Sequence, residues 1–272
     1  MEKPLSRIVL LNILFIALLS VSGMLTGALS TVIYYASFVL PVILISAITV
    51  KEGSEFYGLS PLPSRKGGEL ALLSAVPITA LIFSVSALSS LLMNFLGFHY
   101  GGIDVSGDLF RALILHALLP AFMEEILFRY IPLRILCPYS LKCAIIYSAF
   151  FFALSHCNLF VIPYAAVAGI LFAMLDIAAK SIAPSILLHL FNNVLSVFYQ
   201  RNSANPDFLI LFLIILGVLS LFFGLIIFLF RKRYKPLFYE IFLDKSKVLF
   251  TIPMVLFALA TLLIAIASLF LN

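Results

Sequence analysis

The chain has 272 residues, 64% of them hydrophobic and 11% charged, with a formal net charge of +5 and a mean hydropathy of +1.20. Soluble domains carry about 25% charged residues, so this composition excludes a water-soluble globular protein and reads as a polytopic membrane protein. The lysines and arginines sit in short loops between apolar runs, where they orient a membrane chain rather than bind nucleic acid.

Apolar runs of spanning length predict helices over 5–23, 30–50, 70–96, 109–136, 141–157, 160–179, 182–199, 208–230 and 248–271. The expected fold is an all-α polytopic transmembrane helical bundle of eight to nine spans, one transmembrane domain over 1–272. Helices are required because a lipid-facing backbone must satisfy its own hydrogen bonds, and no alternating pattern suggests a barrel. The first run, MEKPLSRIVLLNILFIALLS, has the basic start and apolar body of a signal peptide. A second span follows at once, so an uncleaved first helix is expected.

With the N-terminus in the cytoplasm and one crossing per run, nearly all the basic residues fall inside, from Lys3 and Lys51 to Lys142, Lys180 and the run Arg231, Lys232, Arg233. Arg111 and Arg201 fall outside. That is the positive-inside asymmetry of a multi-pass membrane protein, and a bacterial or archaeal cell membrane is the expected location. The most basic loop, RKRYKPLFYEIFLDKSK at 231–247, reads as a topological anchor or as a segment resting on an anionic leaflet. GSEFYGLSPLPSRKGG at 53–68 has the Gly, Pro and Ser punctuation of an ordered loop. Tyr34, Tyr35, Tyr57, Tyr234 and Tyr239 are candidates for the membrane interface. Cys137, Cys143 and Cys157 are odd in number and show no CxxC spacing, which suggests neither a disulfide framework nor a structural zinc site.

Ionisable groups in a membrane are expensive and usually face a bundle interior or a wet cavity. Those in the spans include Glu124, Glu125, Arg129, His156, Asp176 and His189, joined by Asn192 and Asn193. Glu125 and Arg129 are four apart, so a helix places them on one face where they can neutralise each other. Glu124 points about 100° away, leaving a carboxylate free for general acid or base work. Phe152 and His156 share a face by the same spacing, as do His189 and Asn193. Such groups can equally tie helices together; three centres on three helices, each with a companion four residues away, favour the catalytic reading. Asp176 reads as an interhelix contact or a cap near Lys180. Cys157 adjoins His156 in sequence but faces elsewhere, so no thiol dyad is expected.

In order, EEILFR (Glu124, Glu125, Arg129), FALSH (Phe152, His156) and HLFNN (His189, Asn193) resemble the EExxxR, FxxxH and HxxxN motifs of the CAAX prenyl protease and bacteriocin-processing family of intramembrane proteases. The resemblance covers about 109–199, the expected catalytic core, and the first and last spans carry no family signal. It implies peptide-bond hydrolysis in the membrane, on a membrane-associated or prenylated peptide. The residues permit this chemistry, with Glu124 activating a water, His156 holding that water, and His189 and Asn193 donating to the oxyanion. Glu125, Arg129 and Phe152 would support the site. A metal version uses Glu124, His156 and His189 as zinc ligands with a fourth position for water; sequence leaves zinc open. Expected partners are a peptide or lipidated-protein substrate and the lipid bilayer, with no nucleic acid and the oligomeric state open. The competing class is a non-enzymatic membrane protein, either a proton-coupled transporter or an inactive immunity-type relative.

A straight helix over 109–136 creates a tension, because Glu124 would lie past mid-membrane while His156 ends the next span on the opposite side. The expected resolution is a short or re-entrant piece over 109–119, with the crossing helix starting near Pro120.

Overall fold

The computed structural model describes residues 2–51, 57–99, 105 and 107–271. The helices are α1 (Glu2–Gly23), α2 (Gly27–Lys51), α3 (Arg65–Phe95), α4 (109–136), α5 (Leu141–Ser155), α6 (Ile162–Ala179), α7 (Ala183–Arg201), α8 (Pro206–Leu229), α9 (231–243, three short helical pieces) and α10 (Ile252–Leu271). The all-α bundle is as expected, and short connections make α1 and α2, α4 and α5, α5 and α6, and α6 and α7 packed neighbours. Among the described residues six helices are long and apolar enough to cross a membrane: α1, α2, α3, α6, α8 and α10. The helices outside that set include α4, α5 and α7, which carry the motifs. Hydropathy falls short there because α5 is brief, α7 is polar and α4 is interrupted.

The interruptions of α4 are two π turns, Ile114–Leu118 and Ile126–Tyr130. Each is followed by a proline, Pro120 and Pro132. Proline lacks the N–H of a helical bond and its ring clashes with the carbonyl four residues back. The wider turn, in which Leu119 N–H donates to Ile114 O and Ile131 N–H to Ile126 O, takes up that clash without ending the helix. The expected break near Pro120 is therefore corrected to a continuous helix with a π turn. The tension over depth disappears as well. Glu124 lies twelve residues before the end of α4 and His156 fifteen after the start of α5, about 18 and 22 Å from their shared turn at 137–140.

Two glycines set close approaches. A Cβ on Gly169 of α6 would lie 2.8 Å from the Ala149 Cα of α5, and one on Gly67 of α3 would lie 2.5 Å from the Ala179 Cα of α6. The second contact explains why α3 begins at Arg65 rather than near 70. Ser64 accepts from Gly67 N–H and starts the helix where its backbone meets α6. Residues 57–64 then staple neighbouring helix ends: Tyr57 N–H donates to Arg134 O (2.8 Å), Ser60 N–H to Lys180 O (2.8 Å) and Ser64 N–H to Ala179 O (3.0 Å). This is the ordered loop read at 53–68, of which 53–56 lie outside the described residues.

The core runs from α1 through α4 into α5. Phe15 meets Phe128 edge-on at 5.4 Å, and Phe128 meets Phe152 at 5.6 Å, packing that also adds quadrupolar attraction. Tyr239 is exposed as an interfacial residue would be, but Tyr234 is a correction. It is buried among Leu70, Phe172 and Leu188, because its turn folds back onto α3, α6 and α7. After α9 the chain is extended over 244–251 and lies along α5. The Asp244 carboxylate accepts from Ser140 Oγ (2.7 Å) and Lys142 N–H (3.0 Å), and Tyr147 Oη donates to Leu249 O (2.6 Å).

Candidate active site

Glu124 and Glu125 sit at the junction of an α segment and the second π turn, an irregularity that often marks functional positions. Adjacent residues point in different directions, so the two carboxylates have different surroundings. Glu125 is fully buried, with its Oε1 3.2 Å from Arg129 Nη1, also fully buried. The expected pair exists, in a setting where neither charge can reach water. Glu125 has a second partner from another helix, since its Oε1 accepts from His189 Nδ1 at 2.7 Å.

The Glu124 side chain is 18% exposed, and its Oε2 lies 3.9 Å from the same imidazole's Nε2. It is not without a neighbour, as the helical wheel had implied. His189 of α7 stands between the adjacent glutamates of α4, one ring nitrogen toward each. Its Nδ1 faces a carboxylate, which only accepts, so Nδ1 carries the proton. Neutral His189 therefore offers a lone pair at Nε2, and the imidazolium offers a donor there.

Phe152 joins the remaining groups. The Arg129 guanidinium carbon stands 3.6 Å from its ring centroid and 5.8 Å from that of Phe172, a cation–π arrangement that offsets part of the burial of the charge. The same ring meets His156 edge-on at 4.9 Å and His189 at 5.9 Å. The Phe152 carbonyl accepts from His156 Nδ1 at 2.8 Å, which fixes that tautomer and leaves Nε2 as an acceptor. His156 caps the C-terminus of α5, close enough to Glu124 for their charges to interact.

The structure thus brings Glu124, Glu125, Arg129, Phe152, His156 and His189 together. Asn193 follows one turn beyond His189 on α7 and is half-buried, its Oδ1 3.4 Å from Asn192 Nδ2; no described contact joins it to the glutamates.

Among the described residues no three His, Cys, Asp or Glu side chains are arranged to hold a metal ion. Glu124, His156 and His189 meet instead as a hydrogen-bonding cluster around Phe152, and a metalloprotease reading lacks support.

Sequence reasoning missed several groups. Tyr34 of α2 lies within electrostatic reach of Glu124, and His116 sits in the first π turn of α4, a turn that packs against α7. Ser185 precedes His189 by one turn, and Asp176 reaches it from α6: Asp176 Oδ1 accepts from Ser185 N–H at 3.0 Å. Asp176 is therefore the interhelix contact read from the sequence, with the Ser185 N–H as its side-chain partner while the Lys180 N–H bonds its backbone carbonyl. A serine one turn before a buried histidine was the available signal.

No curated protein and no solved structure matches the chain significantly. Residues 106–195, about a third of the chain, match the family model described as Rce1-like, type II CAAX prenyl endopeptidase. That span holds all three motifs and every residue of the cluster just described except Tyr34. The match is consistent with the CAAX prenyl protease and bacteriocin-processing family, whose motifs EEILFR, FALSH and HLFNN resemble.

Proposed function

We propose that the protein is an intramembrane endopeptidase that hydrolyses a peptide bond in a membrane-associated or prenylated peptide, using a water activated by Glu124. The observation that carries this reading is the bridging of Glu124 and Glu125 by the His189 imidazole, 3.9 and 2.7 Å from the two carboxylates. Relay carboxylates and histidines in a transporter are strung along a path; the contacts of Glu124 and Glu125 with one imidazole favour convergence, as a hydrolase requires.

Glu124, the more open carboxylate, takes the proton of a water whose other hydrogen is held by His156 Nε2. The hydroxide adds to the scissile carbonyl. His189, as an imidazolium balanced by Glu125, donates from Nε2 to the oxyanion, and Asn193 Nδ2 donates beside it. Donors fixed in a dry site are worth about 3 kcal/mol each in transition-state stabilisation. Protonated Glu124 then returns its proton to the leaving amine. Arg129 and Phe152 hold Glu125 and the two imidazoles in place.

The test is cleavage of prenylated and unprenylated peptides by purified protein in nanodiscs, with Glu124→Ala, His156→Ala and His189→Ala compared singly. Each variant should accumulate as a folded protein and lose turnover. Unimpaired cleavage by Glu124→Ala would overturn the assignment, and proton-coupled flux without cleavage would favour a transporter.

A further inference from the structure

Asp176 is fully buried in α6, and the mechanism above gives it no part. Both its main chain and its side chain hold the turn into α7. The backbone carbonyl accepts from Ser181 N–H at 3.0 Å, and the side-chain Oδ1 accepts from Ser185 N–H at 3.0 Å. Ser181 Oγ in turn accepts from Ala183 N–H at 3.1 Å. The turn is only three residues long, with Lys180 in the left-handed conformation (φ 54°). These bonds fix both the depth at which α7 starts and its rotation about its own axis.

Ser185 is also fully buried, and it lies one helical turn before His189 on the same face. Its hydroxyl donates to Ile182 O at 3.0 Å and stands beside the Glu125 and Asp176 carboxylates. A closed chain of contacts therefore runs from Asp176 to Ser185, along one turn of α7 to His189, and from His189 Nδ1 to Glu125. It joins α6, α7 and α4.

We propose that Asp176 and Ser185 form a positioning pair that sets the His189 imidazole against Glu124 and Glu125. The inference rests on the proposed peptidase reading for its kinetic consequence, though not for its structural one. Asp176 touches no reacting atom; it acts through the backbone of α7. A displacement of about 1 Å at a catalytic group lowers turnover by as much as about 100-fold, so a change at the cap reaches the chemistry while substrate binding is left nearly unchanged.

The experiment compares wild type, Asp176→Asn, Asp176→Ala and Asp176→Leu in nanodiscs, measuring kcat and KM for peptide cleavage. The hydrogen-bonded His189 Nδ1–H resonance, assigned by its loss in His189→Gln, is recorded alongside. In Asp176→Ala, kcat should fall about tenfold or more with KM within about twofold, and the resonance should shift or vanish. Asp176→Asn keeps an oxygen for the Ser185 N–H, and should hold kcat within about threefold with the resonance in place. Asp176→Leu fills similar space without an acceptor oxygen and should lower kcat about tenfold or more, as Asp176→Ala does.

A folded Asp176→Ala protein with wild-type kcat and an unshifted resonance overturns the proposal. So does equal loss in the Asn and Ala variants, because then the acceptor oxygen is not what matters. If Asp176→Ala does not accumulate, Asp176→Leu decides, and unchanged kcat and resonance in it overturn the proposal. If the wild type cleaves no peptide, the peptidase reading fails. The resonance then still tests the pairing, with retention in Asp176→Ala counting against it.

Discussion

Glu125→Ala leaves the Arg129 guanidinium with no carboxylate at 3.2 Å and His189 Nδ1 with no acceptor at 2.7 Å, in a site where both members of the ion pair are fully buried. Breaking a buried pair by removing one partner costs about 3–5 kcal/mol, because the survivor is left as an uncompensated charge. For a chain of this size, 1 kcal/mol shifts the unfolding midpoint by about 2–4 °C, so a drop of roughly 10 °C is expected. Arg129→Ala should cost less, since the orphaned Glu125 keeps His189 as a neighbour. The double variant Glu125→Leu/Arg129→Met removes both charges and keeps similar volume, and should be more stable than either single variant. The assay is thermal unfolding in nanodiscs followed by tryptophan-independent circular dichroism at 222 nm, since the chain has no tryptophan. All three variants should also lose cleavage, because each disturbs the orientation of His189. Single losses below about 1 kcal/mol, or a double variant whose loss equals the sum of the singles, would refute the reasoning.

Glu124→Ala, at a partly open side chain, should change stability by less than about 1 kcal/mol while lowering turnover about 100- to 10,000-fold; a comparison of unfolding midpoint and kcat checks this. Gly169→Ala brings a methyl to 2.8 Å from the Ala149 Cα and should destabilise by about 1–3 kcal/mol through overpacking, measured by the same thermal assay. Partial desolvation raises the Asp244 carboxyl, but hydrogen bonds from Ser246, Ser140 and the Lys142 N–H outweigh it and hold the group well below the usual carboxylate range. A depressed folded-state pKa gives stability that is complete above the unfolded value, about 3.9, and lost as pH falls through the folded one. Residues 244–251 should therefore stay protected from hydrogen exchange down to about pH 4 and open below it. Asp244→Asn should leave them less protected at neutral pH.

How far the sequence could be read depended on the kind of signal. Long apolar runs set α1, α2, α3, α6, α8 and α10 because lipid solvation leaves the backbone no alternative. The Glu125–Arg129 contact followed from helical spacing alone. The partner of Glu124 did not, because His189 reaches it from a helix more than sixty residues later, and spacing carries no information on tertiary approach. Pro120 was read as a helix start, a role proline commonly takes; the π turn ahead of it has no sequence signal beyond the proline itself, although the same pairing recurs at Pro132. Zinc was kept open because residue types fit it. Among the described residues the imidazole Nδ1 atoms bond Glu125 and the Phe152 carbonyl, and no three His, Cys, Asp or Glu side chains are grouped to hold a metal ion. Asp176 and Ser185 were illegible as a pair because one is a side-chain acceptor and the other a backbone donor.

The most direct measurement is turnover of a prenylated peptide by purified protein in nanodiscs in water enriched in ¹⁸O, read by mass spectrometry of the products for wild type and Glu124→Gln. The account predicts one internal cleavage with ¹⁸O in the new carboxylate for wild type, and a loss of at least about 100-fold for Glu124→Gln, which remains folded but cannot take a proton from water. Equal cleavage by the two proteins would contradict it, as would the absence of any cleavage by a folded wild type across prenylated and unprenylated peptides.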